Sequence, residues 1–120
     1  MGLPQIISRN TINVIPDQSA SGNPNTIGTT PFVLYTVPTG SKAILKTFLF
    51  RSTGFGAGTD MQAVANGIIL LDTTTQATAM ENALSSPVIL AAGQTVTLKG
   101  DSASNNESAF FFITFQELPA

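Results

Sequence analysis

From Phe32 onward the chain alternates short apolar runs with turn residues. Phe32-Val33-Leu34-Tyr35-Thr36-Val37 is β-branched and aromatic, and it stops at Pro38-Thr39-Gly40-Ser41, where proline and glycine suit a turn. Ala43 to Arg51 forms a longer run, with Ile44, Phe48 and Phe50 on one parity and Leu45, Thr47, Leu49 and Arg51 on the other. The second set predicts a mixed, partly covered face. Asn66-Gly67 stands between Ala63-Val64-Ala65 and Ile68-Ile69-Leu70-Leu71. It is the strongest hairpin signal in the chain, because a tight two-residue turn needs positive φ at its centre. Val88-Ile89-Leu90, the turn Ala91-Ala92-Gly93-Gln94 and Thr95-Val96-Thr97-Leu98 predict a second hairpin. Ala109 to Phe115 closes the series with aromatics on both parities, which predicts a central strand covered on both faces.

Two segments depart from this rhythm. Gln76 to Leu84 places Ala77, Met80 and Leu84 at helical spacing after the possible caps Thr73, Thr74 and Thr75, so a short helix and an irregular strand both remain open. Residues 1–30 carry Ile6, Ile7, Ile12, Val14 and Ile15, too apolar for a solvated tail, followed by a turn-rich stretch from Asp17 to Asn25. Such a segment reads as an extended arm that lays its isoleucines on its own domain or on a neighbouring subunit. Strands at near-regular spacing with Gly, Pro and Asn turns predict an antiparallel β-sandwich or jelly roll over 31–120, with the arm over 1–30.

Composition narrows the role. One domain accounts for 120 residues. Only 10% of residues are charged, against roughly 25% in ordinary soluble domains. Ser, Thr, Asn and Gly fill the gap, which suits a surface that other proteins cover, since an unpaired buried charge is costly. A polar but neutral secreted domain is the plainer alternative. The net charge is −2, and Lys42, Lys46, Arg51 and Lys99 are scattered, so no phosphate-tracking stripe for nucleic acid forms. No apolar run approaches the roughly 18 residues of a membrane span, and the first residues lack the pattern of a signal peptide. There is no Cys, hence no disulfide framework.

Leu34-Tyr35-Thr36-Val37-Pro38-Thr39-Gly40-Ser41-Lys42-Ala43-Ile44, then Ala65-Asn66-Gly67-Ile68, then Pro87-Val88-Ile89-Leu90-Ala91-Ala92-Gly93-Gln94-Thr95-Val96-Thr97-Leu98 occur in that order. With the closing Ile113-Thr114-Phe115-Gln116-Glu117-Leu118, this order resembles small β-sandwich structural proteins of bacteriophage virions, over about Leu34 to Leu118. The resemblance implies a capsid decoration, tail or fibre component, commonly a homotrimer, whose partners are the major capsid protein or other virion proteins. The arm and the glycine loop Gly54 to Asp60 depart from that pattern.

Chemistry is sparse. Without His or Cys the Ser-His-Asp and Cys-His mechanisms and the usual zinc sites cannot be built. The seven carboxylates, Asp17, Asp60, Asp72, Glu81, Asp101, Glu107 and Glu117, are dispersed. Asp101 and Glu107 share a Ser/Asn-rich loop, read as solvated, although with Asn105 and Asn106 they offer oxygens of the kind calcium takes. Gly54-Phe55-Gly56-Ala57-Gly58 lacks the Lys-Ser/Thr of a phosphate loop. Asn106-Glu107-Ser108 is a formal glycosylation sequon. No catalytic residue, metal or cofactor is expected. The expectation is a virion structural protein, foremost a decoration or cement protein, with Ile6, Ile7, Ile12, Val14, Ile15 and Phe55 as interface residues. The alternative is a tail or fibre-tip module reading host glycans through Phe55, Tyr35 and Asn105–Asn106.

Overall fold

The computed structural model describes residues 15–53, 61–73, 80–101 and 107–120. Nine strands run through them: β1 Gln18–Gly22, β2 Phe32–Thr36, β3 Ser41–Ser52, β4 Met61–Ala65, β5 Ile68–Thr73, β6 Glu81–Asn82, β7 Val88–Leu90, β8 Thr95–Gly100 and β9 Ala109–Pro119. The first sheet has the order β1-β9-β3, with β6 and β7 both on the far side of β3. The second has the order β2-β8-β4-β5. Every pairing is antiparallel. The chain switches sheets at almost every connection, and this strand order is that of a jelly roll, as the sequence predicts.

One face of each sheet closes the core. Phe48, Phe50, Leu45, Leu90 and Ile113 from the first sheet meet Met61, Ala63, Val96 and Leu98 from the second, all buried. The Asn66-Gly67 turn forms as predicted, with φ of 51° and 75°, the two left-handed positions that a two-residue hairpin needs.

Three β-bulges set which residues face inward. In β3 the register steps from Leu45↔Phe115 to Thr47↔Thr114, so Lys46 is an extra residue. The parity therefore flips: Ala43 and Leu45 face the core before the bulge, and Phe48 and Phe50 after it. The single-parity reading, which grouped Ile44 with Phe48 and Phe50, fails for that reason. The edge strands β2 and β5 carry bulges at Leu34 and Leu70. Each turns two consecutive side chains, Leu34 with Tyr35 and Leu70 with Leu71, against the core.

The stretch read as a turn-rich linker is in fact structured. Gln18–Gly22 pairs with β9 from Gln18↔Phe115 to Gly22↔Phe111. Its polar side chains hid the strand, because an edge strand can be held by its backbone, and its small residues suit a close approach. A Cβ on Gly22 would lie 3.1 Å from the Phe111 ring. Ile27 is fully buried and exchanges two backbone hydrogen bonds of 3.0 Å with Glu107. The sandwich thus takes in residues 18–30 of the expected arm, and residues 1–14 lie outside the described part. Of the stretch left open between helix and strand, Glu81 and Asn82 pair with Phe50 and Leu49 of β3, and 76–79 are not described.

Candidate functional site: two outer sheet faces

The strand registers put defined rows of side chains on the outward face of each sheet. On the first sheet, Ile44 of β3 faces Ile89 of β7, and Leu49 of β3 lies between Asn82 of β6 and Phe112 of β9. Phe110 and Phe112 are 38% and 37% exposed and Ile89 is 73% exposed. The prediction for β9 holds in part: it is central, between β1 and β3, but its outer aromatics remain open to solvent. The Arg51 guanidinium lies over the Phe110 ring at 4.9 Å from its centroid, a cation–π contact on that face.

On the second sheet, Val33↔Thr97, Val64↔Thr97 and Val64↔Ile69 define one continuous row across all four strands. Its ends, Val33 and Ile69, are 52% and 53% exposed, whereas Thr97 at its centre is buried. The adjoining row is polar: Lys99, Gln62 and Asp72, with Gln62 Nε2 donating to Asp72 Oδ2 at 3.3 Å.

At the end of the sandwich that holds the 38–41 and 91–94 turns, a polar clamp ties the sheets together. The Tyr35 ring on β2 stacks on Phe115 of β9, centroids 4.0 Å apart, and its hydroxyl donates to Glu117 Oε2 at 2.6 Å. Gln18 Nε2 donates to the other carboxylate oxygen at 3.4 Å. Burial, then the hydrogen bond and the negative charge of Glu117, push the Tyr35 phenol well above its ordinary range. Tyr35 was a candidate for glycan stacking, but its ring and hydroxyl are already engaged here.

At the opposite end, Glu107 is only 1% exposed, so the solvated-loop reading of this carboxylate is corrected. Its bridge to Ile27 draws the backbone into the sandwich, and both carboxylate oxygens lie 2.5 Å from where a Cβ on Gly100 would be. Asp101 is exposed. Among the described residues no group of three or more His, Cys, Asp or Glu is placed to hold a metal ion, and no helix is long and apolar enough to cross a membrane.

Of the predicted interface residues, Ile15 is described. It is partly exposed, and its carbonyl accepts from Gln116 Nε2 at 2.7 Å. Nearby, Asp17 bonds Lys46, the bulge residue, at 3.2 Å. Ile6, Ile7, Ile12, Val14 and Phe55 lie outside the described residues, as do Asn105 and Asn106. The outer-face rows were not among the predicted sites. Their signal was present in Phe110 and Phe112 on the second parity of β9, but it was read as burial rather than as an open face.

No family model matches the chain, and no curated protein matches it. Among solved structures, the fold is similar to that of a protein from the Bacillus endospore appendages, described as a novel family of disulfide-linked pili. The TM-score is 0.51 with 14% sequence identity, over 89% of this chain and 90% of that one. What the two chains share at this level is the architecture of the sandwich.

Proposed function

We propose that the chain is a non-catalytic structural subunit that works by covering and being covered by other subunits, as a bacteriophage capsid decoration or cement protein. The observation that carries this reading is the pairing of a charge-poor sequence with apolar rows on both outer sheet faces. Contiguous apolar patches on soluble proteins mark interaction sites when they reach a few hundred Å². The order of sequence motifs from Leu34 to Leu118 supports the virion setting, and residues 1–14, with four isoleucines and valines, supply an anchoring segment. The resemblance makes a trimer the expected oligomer, with a capsid or other virion protein as partner. The similar sandwich in an appendage protein supports the broader reading, that such a domain serves in assemblies. That protein's pili are disulfide-linked; this chain contains no Cys, so its own assembly would rest on burial alone.

Electron microscopy of particles assembled in cells that express the chain tests the proposal. Density for the sandwich on a shell is the expected result, and particles that lack the chain altogether would overturn it. A variant lacking residues 1–14 is expected to fold and to lose particle binding in a co-sedimentation assay; undiminished binding would remove the anchoring role from that segment.

A further inference from the structure

We propose that the two outer faces dock on each other between copies of this chain, the first-sheet face of one copy against the second-sheet face of the next. The inference takes from the proposed function only the identity of the occupant, a second copy. Both faces present apolar rows: Leu49, Phe110, Phe112 and Ile89 on one, Val33, Val64 and Ile69 on the other. Broad aromatic and leucine side chains facing β-branched ones across about 10 Å is the way two sheets pack inside a sandwich.

Size and charge select this pairing. The β3–β9 pair runs 11 to 12 residues and has shorter strands on either side, so the face spans on the order of 600 Å² from strand rise and spacing. That approaches the roughly 800 Å² per partner of a standard interface. The first-sheet face carries Lys42, Lys46 and Arg51, and among the described residues its carboxylate is Asp17, already bonded to Lys46. The second-sheet face carries Asp72 and Lys99, which balance. Pairing the first face with itself would bring two cationic surfaces together; pairing it with the second face, whose described charges balance, removes that repulsion and offers Asp72 as a counter-charge. The sheet edges are poorer docking sites, since β2 and β5 are bulged and the far side of β3 holds two short strands, devices that blunt edges. Unlike faces meeting head to tail leave one of each open, so the contact adds copies beyond a pair, in a row or, where the rotation between copies closes, in a ring such as the expected trimer.

Two variants of the full chain test this. Ile89→Lys with Phe112→Lys blocks the first face, and Val33→Lys with Ile69→Lys blocks the second. Sedimentation velocity over a concentration series should show the wild type forming species larger than a dimer. Each variant alone should self-associate at least about tenfold more weakly, because a lysine is introduced into an apolar contact. An equimolar mixture should form a heterodimer and nothing larger, since each variant retains the face the other lacks. A wild type that stays monomeric, a second-face variant that still dimerises by itself, or a mixture that does not associate would overturn the docking. If a double variant loses its cooperative thermal transition, the single substitutions Ile89→Lys and Ile69→Lys, at highly exposed positions, carry the same comparison. Particle binding by a chain that remains monomeric would overturn this docking and leave the proposed function standing.

Discussion

Tyr35 and Glu107 show how single side chains pack the two ends of the sandwich. Tyr35→Phe keeps the ring on Phe115 and removes only the hydroxyl donated to Glu117, so it should cost about 1 kcal/mol. Thermal unfolding would then begin about 4 °C lower; an unchanged midpoint would mean the clamp adds nothing. Tyr35 is the only tyrosine, so phenolate absorbance reports it alone. Its folded pKa is raised, which means that the folded state holds the proton more tightly than the unfolded chain. The stabilisation is therefore complete below about pH 10, where unfolded tyrosine starts to ionise. It is lost as pH rises from there toward the folded value. Phenolate should appear in the native protein only at markedly higher pH, and an ordinary tyrosine titration would contradict the clamp. At the other end, Gly100→Ala drives a methyl into the Glu107 carboxylate and should cost about 1–3 kcal/mol. Combined with Glu107→Ala, the two effects should be strongly non-additive, because the second removes what the first strikes.

At the level of strands, one extra residue shifts the parity of the inward positions along β3. Lys46→Ala removes an exposed pair with Asp17 and should change stability by at most about 0.5 kcal/mol. Deleting Lys46 removes the bulge but leaves Leu45, Thr47 and Phe48 in plain alternation opposite Phe115, Thr114 and Ile113, so Leu45, Phe48 and Phe50 all still face the core. That variant should keep a cooperative unfolding transition by circular dichroism, and its loss would show that the bulge itself is needed for the fold. The same reasoning separates two N-terminal truncations. Removing residues 1–14 spares every described strand, whereas removing 1–30 takes away β1 and the buried Ile27. The first should unfold near the wild-type temperature, and the second should be destabilised by several kcal/mol or fail to fold, since loss of a large buried aliphatic alone costs about 2–5 kcal/mol. Equal stability of the two would show that β1 is dispensable.

For the whole molecule, absence of cysteine has a direct consequence. Any polymer formed by this chain should be unaffected by reductant and should dissociate as urea weakens apolar burial. Light scattering with and without dithiothreitol distinguishes this from a covalent assembly. A ladder of reductant-sensitive species would contradict it. Low charge acts in the same direction, because little electrostatic repulsion opposes contact between copies.

Fold class, most strand positions and the Asn66-Gly67 hairpin could be read directly from the chain, because turn residues and apolar runs act locally. So could the lack of His and Cys, which depends on composition alone. The strand character of Gln18–Gly22 could not, since its stability comes from backbone bonds to β9, about ninety residues away in sequence. Nor could the parity of β3, where the Lys46 bulge answers to the register of its partner and leaves no mark in the apolar pattern. Phe110 and Phe112 were legible as apolar, but whether they lay inside or on an open face depended on how many layers the molecule builds. With two sheets and one core, each sheet has a single inner face, and the apolar residues on the other side stay open to solvent.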